Sequence, residues 1–188
     1  FQYSRVRAWK DGKSEILIMA SELVDSVLKT GRYQDYELLQ GLSAKDMQKL
    51  KYEHPLLDLV PRQRDIEHGV YAADFVTAEN TGCVHIAPGH GLEDYELGLD
   101  HHLEIFCPVG GDGRYTAEAG EKYLGQYVKE ADSNVIADLE ERDKLLAQGR
   151  LAHRYGHCWR CKTPIIFIAT SQWFLRISDL RDKMLDEI

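Results

Sequence analysis

Residues 81–98, TGCVHIAPGHGLEDYELG, constrain the fold more than any other stretch of the chain. Alternating Val84 and Ile86 predict a strand over 82–87. Pro88 and Gly89 break it, and Gly91 opens a helix. Leu92, Tyr95, Leu99 and Leu103 recur at helical spacing and predict a helix over 92–103 with those four residues facing a core. A strand that turns sharply into a helix calls for a layered α/β arrangement. Side chains alternate along a strand, so Val84 and Ile86 are expected inward and His85 on the opposite face. Asp94 falls in the first helical turn, off the apolar stripe and beside the strand end that carries His85. A carboxylate there is favoured by the helix dipole whatever its role. A strand histidine is more often structural than catalytic, so position alone leaves both residues open.

The remaining chain is strand-rich with interspersed helices. Residues 2–9 and 14–20 read as a hairpin around Asp11-Gly12, a pair suited to positive φ. SELVDSVLKTG reads as a short helix with Ser21 as N-cap, Leu23, Val24, Val27 and Leu28 as its apolar stripe, and Gly31 as its C-cap. DYELLQGLS predicts a strand, and SAKDMQKLKY a helical turn. GVYAADFVTA predicts another strand. Residues 131–148 predict a helix capped by Asp132 or Ser133, with Val135, Ile136, Leu139, Leu145 and Leu146 on its apolar side. RLAHRYGHCWRC, PIIFIAT and QWFLRI read as short strands, and LRDKMLDEI as an amphipathic helix. The expected fold class is α/β, with a mixed, barrel-like sheet core and interspersed helices.

The net charge of −8 on 188 residues argues against a domain that grips nucleic acid along its backbone, though not against one that meets a single end. No apolar run approaches the length that spans a bilayer, and no export signal opens the chain. The four cysteines, Cys83, Cys107, Cys158 and Cys161, are accordingly expected to be reduced. The chain opens on Phe1 and breaks off within the last helical pattern, which reads as a piece of something longer.

TGCVHIAPGHGLEDY resembles the signature of the editing domain of isoleucyl-tRNA synthetases, a class I family. GHCWRCKTPIIFIATSQWF resembles the segment in which that family's chain leaves the domain. IFCPVGGDGRYT and the helix near 131–148 match in order and spacing, so the likeness covers essentially the whole chain. The related valyl and leucyl domains carry Pro-Ala-His-Asp where residues 88–91 here are PGHG, which favours the isoleucyl member. The resemblance implies an editing domain over 1–150 and an exit segment with a CxxC over 151–188, returning toward the synthetase body. It implies hydrolytic proofreading of valyl-tRNA(Ile) in the cytoplasm. The partners would be the tRNA acceptor end carrying valine and the rest of the synthetase chain, with neither DNA nor membrane. Such a site answers a limit of pocket physics: a cavity shaped for isoleucine rejects valine only weakly, the standard instance of the missing-methylene problem.

By the same resemblance Asp94 is the catalytic-site carboxylate that holds the substrate's ammonium group, and His85 lines the side-chain pocket as a steric wall. The ester would be cleaved by a positioned water assisted by the terminal ribose, so editing needs no cofactor. ATP and Mg belong to a synthetic site whose His-x-Gly-His and Lys-Met-Ser-Lys-Ser motifs are absent here. The family's threonine-rich pocket segment is also absent and would lie just upstream of Phe1, so these residues alone are expected to deacylate weakly or not at all. Cys158 and Cys161 have the spacing of half a zinc site, which a second pair elsewhere in a synthetase would complete. The competing reading is a zinc-binding adaptor using both cysteines and two of His153, His157 and His85.

Overall fold

The computed structural model describes residues 1–150 and 154–187. Its sheet is a three-stranded antiparallel ribbon in the order β2-β1-β3. β1 (Tyr3–Lys10) and β2 (Lys13–Ala20) form the expected hairpin, pairing from Tyr3↔Ala20 to Lys10↔Lys13. Asp11 and Gly12 take φ of 51° and 76°, the left-handed pair that a two-residue turn between twisted strands requires. β3 (Asp35–Leu42) covers the other edge of β1, with a register shift at Arg5/Val6.

β1 is central, and Val6 and Ala8 on its inner face are fully buried. They meet Met19 of β2 and the apolar stripe of α1 (Val24–Thr30), whose Val24, Val27 and Leu28 are buried. Burying each such side chain contributes roughly 1.5–3 kcal/mol. Gly31 caps α1 as its sequence predicts, but the entry differs. Ser21 starts a 3-10 turn and its hydroxyl pairs with that of Ser4 at 2.8 Å instead of capping. The short α2 (Ala44–Met47) is fixed by a capping box between Ser43 and Asp46.

A second cluster joins Leu56, Val60, Ala119 and Tyr123 to Val135 and Leu139 of α4 (Val128–Glu141). α4 has Tyr127 as its N-cap, before the expected caps, and ends at Glu141, short of 148; just beyond it Asp143 adopts φ 53°. Asp138, on its inner face, is only 2 % exposed. It accepts hydrogen bonds from the Tyr123 hydroxyl (2.6 Å) and from Lys122, and pairs with Arg142, which in turn grips Asp58 at 2.7 Å.

Three expectations are corrected. The sheet is open, not barrel-like. Residues 82–87 and 69–78 form no strand, because their backbone finds no ladder partner among the described residues; an isolated bridge, Lys51↔Gly69, is the nearest pairing. Likewise none of the short strands expected there forms within 154–176, where the one isolated bridge among the described residues is His157↔Pro164. The last helix, α5 (Arg181–Asp186), forms as predicted but is exposed along its length. No described helix is long and apolar enough to cross a membrane.

Candidate active site

The turn at 88–91 is held from three sides. Beneath it, Gly89 lies so close to the 106–107 backbone that a Cβ would stand 2.2 Å from the Phe106 carbonyl oxygen, so no other residue fits this path. Across it, Ala169 N–H donates to Gly89 O at 2.9 Å. Beside that bond, His90 Nδ1 lies 2.9 Å from Phe167 O. A carbonyl only accepts, so Nδ1 is the donor of this bond. Nε2 is buried and has no hydrogen-bond partner among the described residues.

The turn delivers the chain into α3 (Leu92–Asp100), with Gly91 as N-cap. Within its first turn Asp94 reaches back, and its Oδ2 accepts Ala87 N–H at 3.1 Å. Gly91 leaves room for this: a Cβ there would meet Asp94 Oδ2 at 2.6 Å. Asp94 therefore stands beside the segment bearing His85, as its sequence position predicts. The helix face is the reverse of the predicted one. Leu92, Tyr95 and Leu99 are 60 %, 37 % and 51 % exposed, whereas Gly98 is buried against Pro88. A backbone-close contact at a glycine has thus set the rotation of α3 in place of its apolar stripe. Val84, expected in the core, is 56 % exposed.

Before the turn, the extended segment 82–88 lines a cleft of about 1170 Å³. That exceeds the ~300–1,000 Å³ of ordinary small-molecule pockets. His85 opens onto it, together with His54, His68, Tyr52 and Tyr71. His85 is exposed to the cleft, yet partial desolvation by the surrounding protein pushes its pKa below the ordinary imidazole value; the Asp94 carboxylate opposes the shift and His68 adds to it. His54 is lowered further, to about 4, by burial and by His68 and His85. Its Nδ1 accepts Leu56 N–H at 3.2 Å, and its ring lies 5.6 Å from that of His68, which in turn lies 5.2 Å from Tyr52. The Tyr71 ring lies 4.7 Å from that of His101, tilted by 44°.

Sequence reasoning placed His85 and Asp94 near each other and missed the histidines opposite. Residues 53–68, which hold both histidines, carry no predicted element and no motif, so only the tertiary fold reveals that His54 and His68 face the same space. Asp94 does not itself line the cleft; it is half-buried and joined to it through Ala87 and through its charge on His85.

The cysteines lie elsewhere. Cys158 N–H donates to Thr163 O and Lys162 N–H to Cys158 O, both at 2.9 Å, closing a tight knuckle. Hydrogen bonding with Thr163 and with Cys158 lowers the Cys161 thiol to about 7. All four cysteines are free. Among the described residues no third His, Cys, Asp or Glu joins a metal-sized group, so these residues supply two of the four ligands a structural zinc needs. His153 lies outside the described residues. His157 turns its Nδ1 to Tyr155 O at 3.0 Å, and His85 belongs to the cleft.

Fold and loop together define a small α/β module with a histidine-lined cleft and a carboxylate anchored at its rim. No protein-family model matches the chain. Individual proteins do. The isoleucine–tRNA ligase of Methanothrix thermoacetophila is 68 % identical over 189 residues, covering all of this chain and 18 % of that protein. Those of Methanosarcina barkeri and Archaeoglobus fulgidus are 58 % and 59 % identical, again over the whole chain and 18 % of theirs. The chain belongs to the isoleucine–tRNA ligase family and spans about 18 % of the length of the relatives it matches.

Proposed function

We propose that this segment removes wrongly attached valine from tRNA(Ile) by hydrolysis of the aminoacyl ester. The reading is carried by one observation. Ala87 N–H fixes the Asp94 carboxylate through Oδ2, and Oδ1 has no hydrogen-bond partner among the described residues. A carboxylate held in this way is pre-oriented for an ammonium group, which it would bind by charge-assisted hydrogen bonds. The matches to isoleucine–tRNA ligases and the likeness of residues 81–95 to an editing signature support the same reading.

In this reading the substrate is the acceptor end of tRNA carrying valine. Asp94 takes the α-ammonium through Oδ1. His85, neutral at neutral pH because partial desolvation depresses its pKa, presents a ring that limits the length of the side chain admitted. A water held over the ester carbonyl attacks the carbon, the ribose oxygen leaves and takes up the proton, and free valine departs. No side-chain nucleophile is required. ATP and Mg would serve adenylate formation outside these 188 residues. The remaining ligase chain, the cytoplasm as site of action, the boundary near 150/151 and a zinc completed by cysteines from elsewhere all follow from the same reading. The adaptor reading draws no support from the geometry, since it leaves the cleft and the anchored carboxylate without a task.

The test is deacylation of valyl-tRNA(Ile) by the ligase that carries this segment, compared with its Asp94→Asn form. Loss of hydrolysis with intact isoleucine activation supports the reading; unchanged hydrolysis removes it.

A further inference from the structure

We propose that His90 is a positioning residue of this site: its Nδ1–H fastens the 88–91 turn to the returning extended segment at Phe167, and that bond sets where Asp94 stands. The functional part rests on the deacylase reading above; the structural part does not.

His90 sits between two glycines that cannot hold the turn by side-chain packing. The turn is tied to the 167–169 strap by two parallel bonds, His90 Nδ1–H to Phe167 O and Ala169 N–H to Gly89 O, both 2.9 Å. One residue later the chain enters α3, whose Asp94 reaches back to Ala87 N–H. The turn therefore spans the two ends of the Ala87–Asp94 contact. If it slackens, donor and acceptor move relative to each other. Among the described residues His90 bonds through Nδ1 and through its own backbone, where His90 N–H donates to Ala87 O at 2.8 Å. His90 lies at the edge of the cleft, but its Nε2 is buried, so the polar contact its side chain makes is the grip on Phe167.

This makes a stereochemical prediction. An asparagine amide places an N–H donor where Nδ1 stands and omits the buried, partnerless Nε2. Glutamine places its amide where Nε2 stands. His90→Asn should keep the strap in place, and His90→Gln and His90→Ala should release it.

Two readouts decide. In this chain, amide exchange at Ala169 should quicken about three- to tenfold in His90→Gln and His90→Ala, as expected for loss of one neutral hydrogen bond nearby, and stay near wild type in His90→Asn. Equal exchange in all three variants and wild type overturns the proposal, as does His90→Asn exchanging as fast as His90→Ala. In the whole ligase, His90→Ala should raise the KM for valyl-tRNA deacylation about tenfold, and His90→Asn should restore it. If Asp94→Asn abolishes deacylation while His90→Ala leaves it untouched, the positioning role is wrong and the deacylase reading stands. If Asp94→Asn is fully active, the deacylase reading fails, and the exchange experiment still decides the role of His90. If His90→Ala does not fold, His90→Asn against His90→Gln carries both comparisons.

Discussion

The backbone N–H of Ala87 donates to Oδ2 of Asp94 at 3.1 Å, joining the extended segment that bears His85 to the first turn of α3. This bond satisfies a backbone donor that has no strand partner, and it orients a carboxylate at a helix N-terminus, where the dipole favours negative charge. Asp94→Ala removes both effects and should lower the stability of this chain by about 1 kcal/mol, read from the urea midpoint. Asp94→Asn keeps an acceptor for Ala87 and should cost less.

His85→Ala should change which ester is cut, not whether cutting occurs. A smaller side chain at this wall admits one more methylene, so the whole ligase should still hydrolyse valyl-tRNA and begin to hydrolyse isoleucyl-tRNA. Loss of a general base would slow both esters together, by ~10²-fold or more. The two deacylation rates distinguish the roles.

These residues differ in how far the sequence reveals them. The Asp11-Gly12 hairpin and the α1 stripe are legible because hairpin turns and helical periodicity are local. The neighbourhood of His85 and Asp94 is legible too, since the ten residues from one to the other pass through a single extended segment, turn and helix start. The strands expected at 69–78 and 82–87 fail because a strand exists only through a partner, which is distant in sequence. The face of α3 fails because the Gly98–Pro88 approach outweighs three leucine and tyrosine positions, and apolar periodicity carries no trace of that contact. His54 and His68 are invisible for the same reason: their meeting is purely tertiary.

Acid should loosen the cleft wall through His54. Its folded pKa is about 4 and its unfolded value is the ordinary 6.5. Between these values the unfolded chain binds the extra proton, so stability rises with pH and is lost as pH falls from about 6.5 toward about 4. His54→Phe should flatten this part of the stability–pH profile by about 1–2 kcal/mol, allowing for solvent screening at a half-buried ring. A profile unchanged by the substitution would show that His54 titrates normally.

Asp138→Ala should be among the costliest single changes. It leaves the Tyr123 hydroxyl and Lys122 without their acceptor and weakens the hold of Arg142 on α4. Breaking a buried ion pair costs roughly 3–5 kcal/mol, and the partial exposure of Lys122 and Arg142 places this case nearer 2–4. Chemical denaturation of the variant measures it.

A strong chelator should leave the circular dichroism and the urea midpoint of this chain unchanged. The described residues bring two thiols and no third ligand to the knuckle at Cys158 and Cys161. Unfolding on chelation would show that a fold-supporting metal site is present and would restore the adaptor reading.

The most direct test of the central claim is single-turnover hydrolysis of valyl-tRNA(Ile) by the whole ligase carrying Asp94→Ala, with isoleucine-dependent ATP–pyrophosphate exchange measured on the same preparation. The account predicts hydrolysis reduced by about a hundredfold or more, as for removal of a charged anchor, with exchange unchanged. Hydrolysis within a few-fold of wild type, with exchange equally intact, would contradict it.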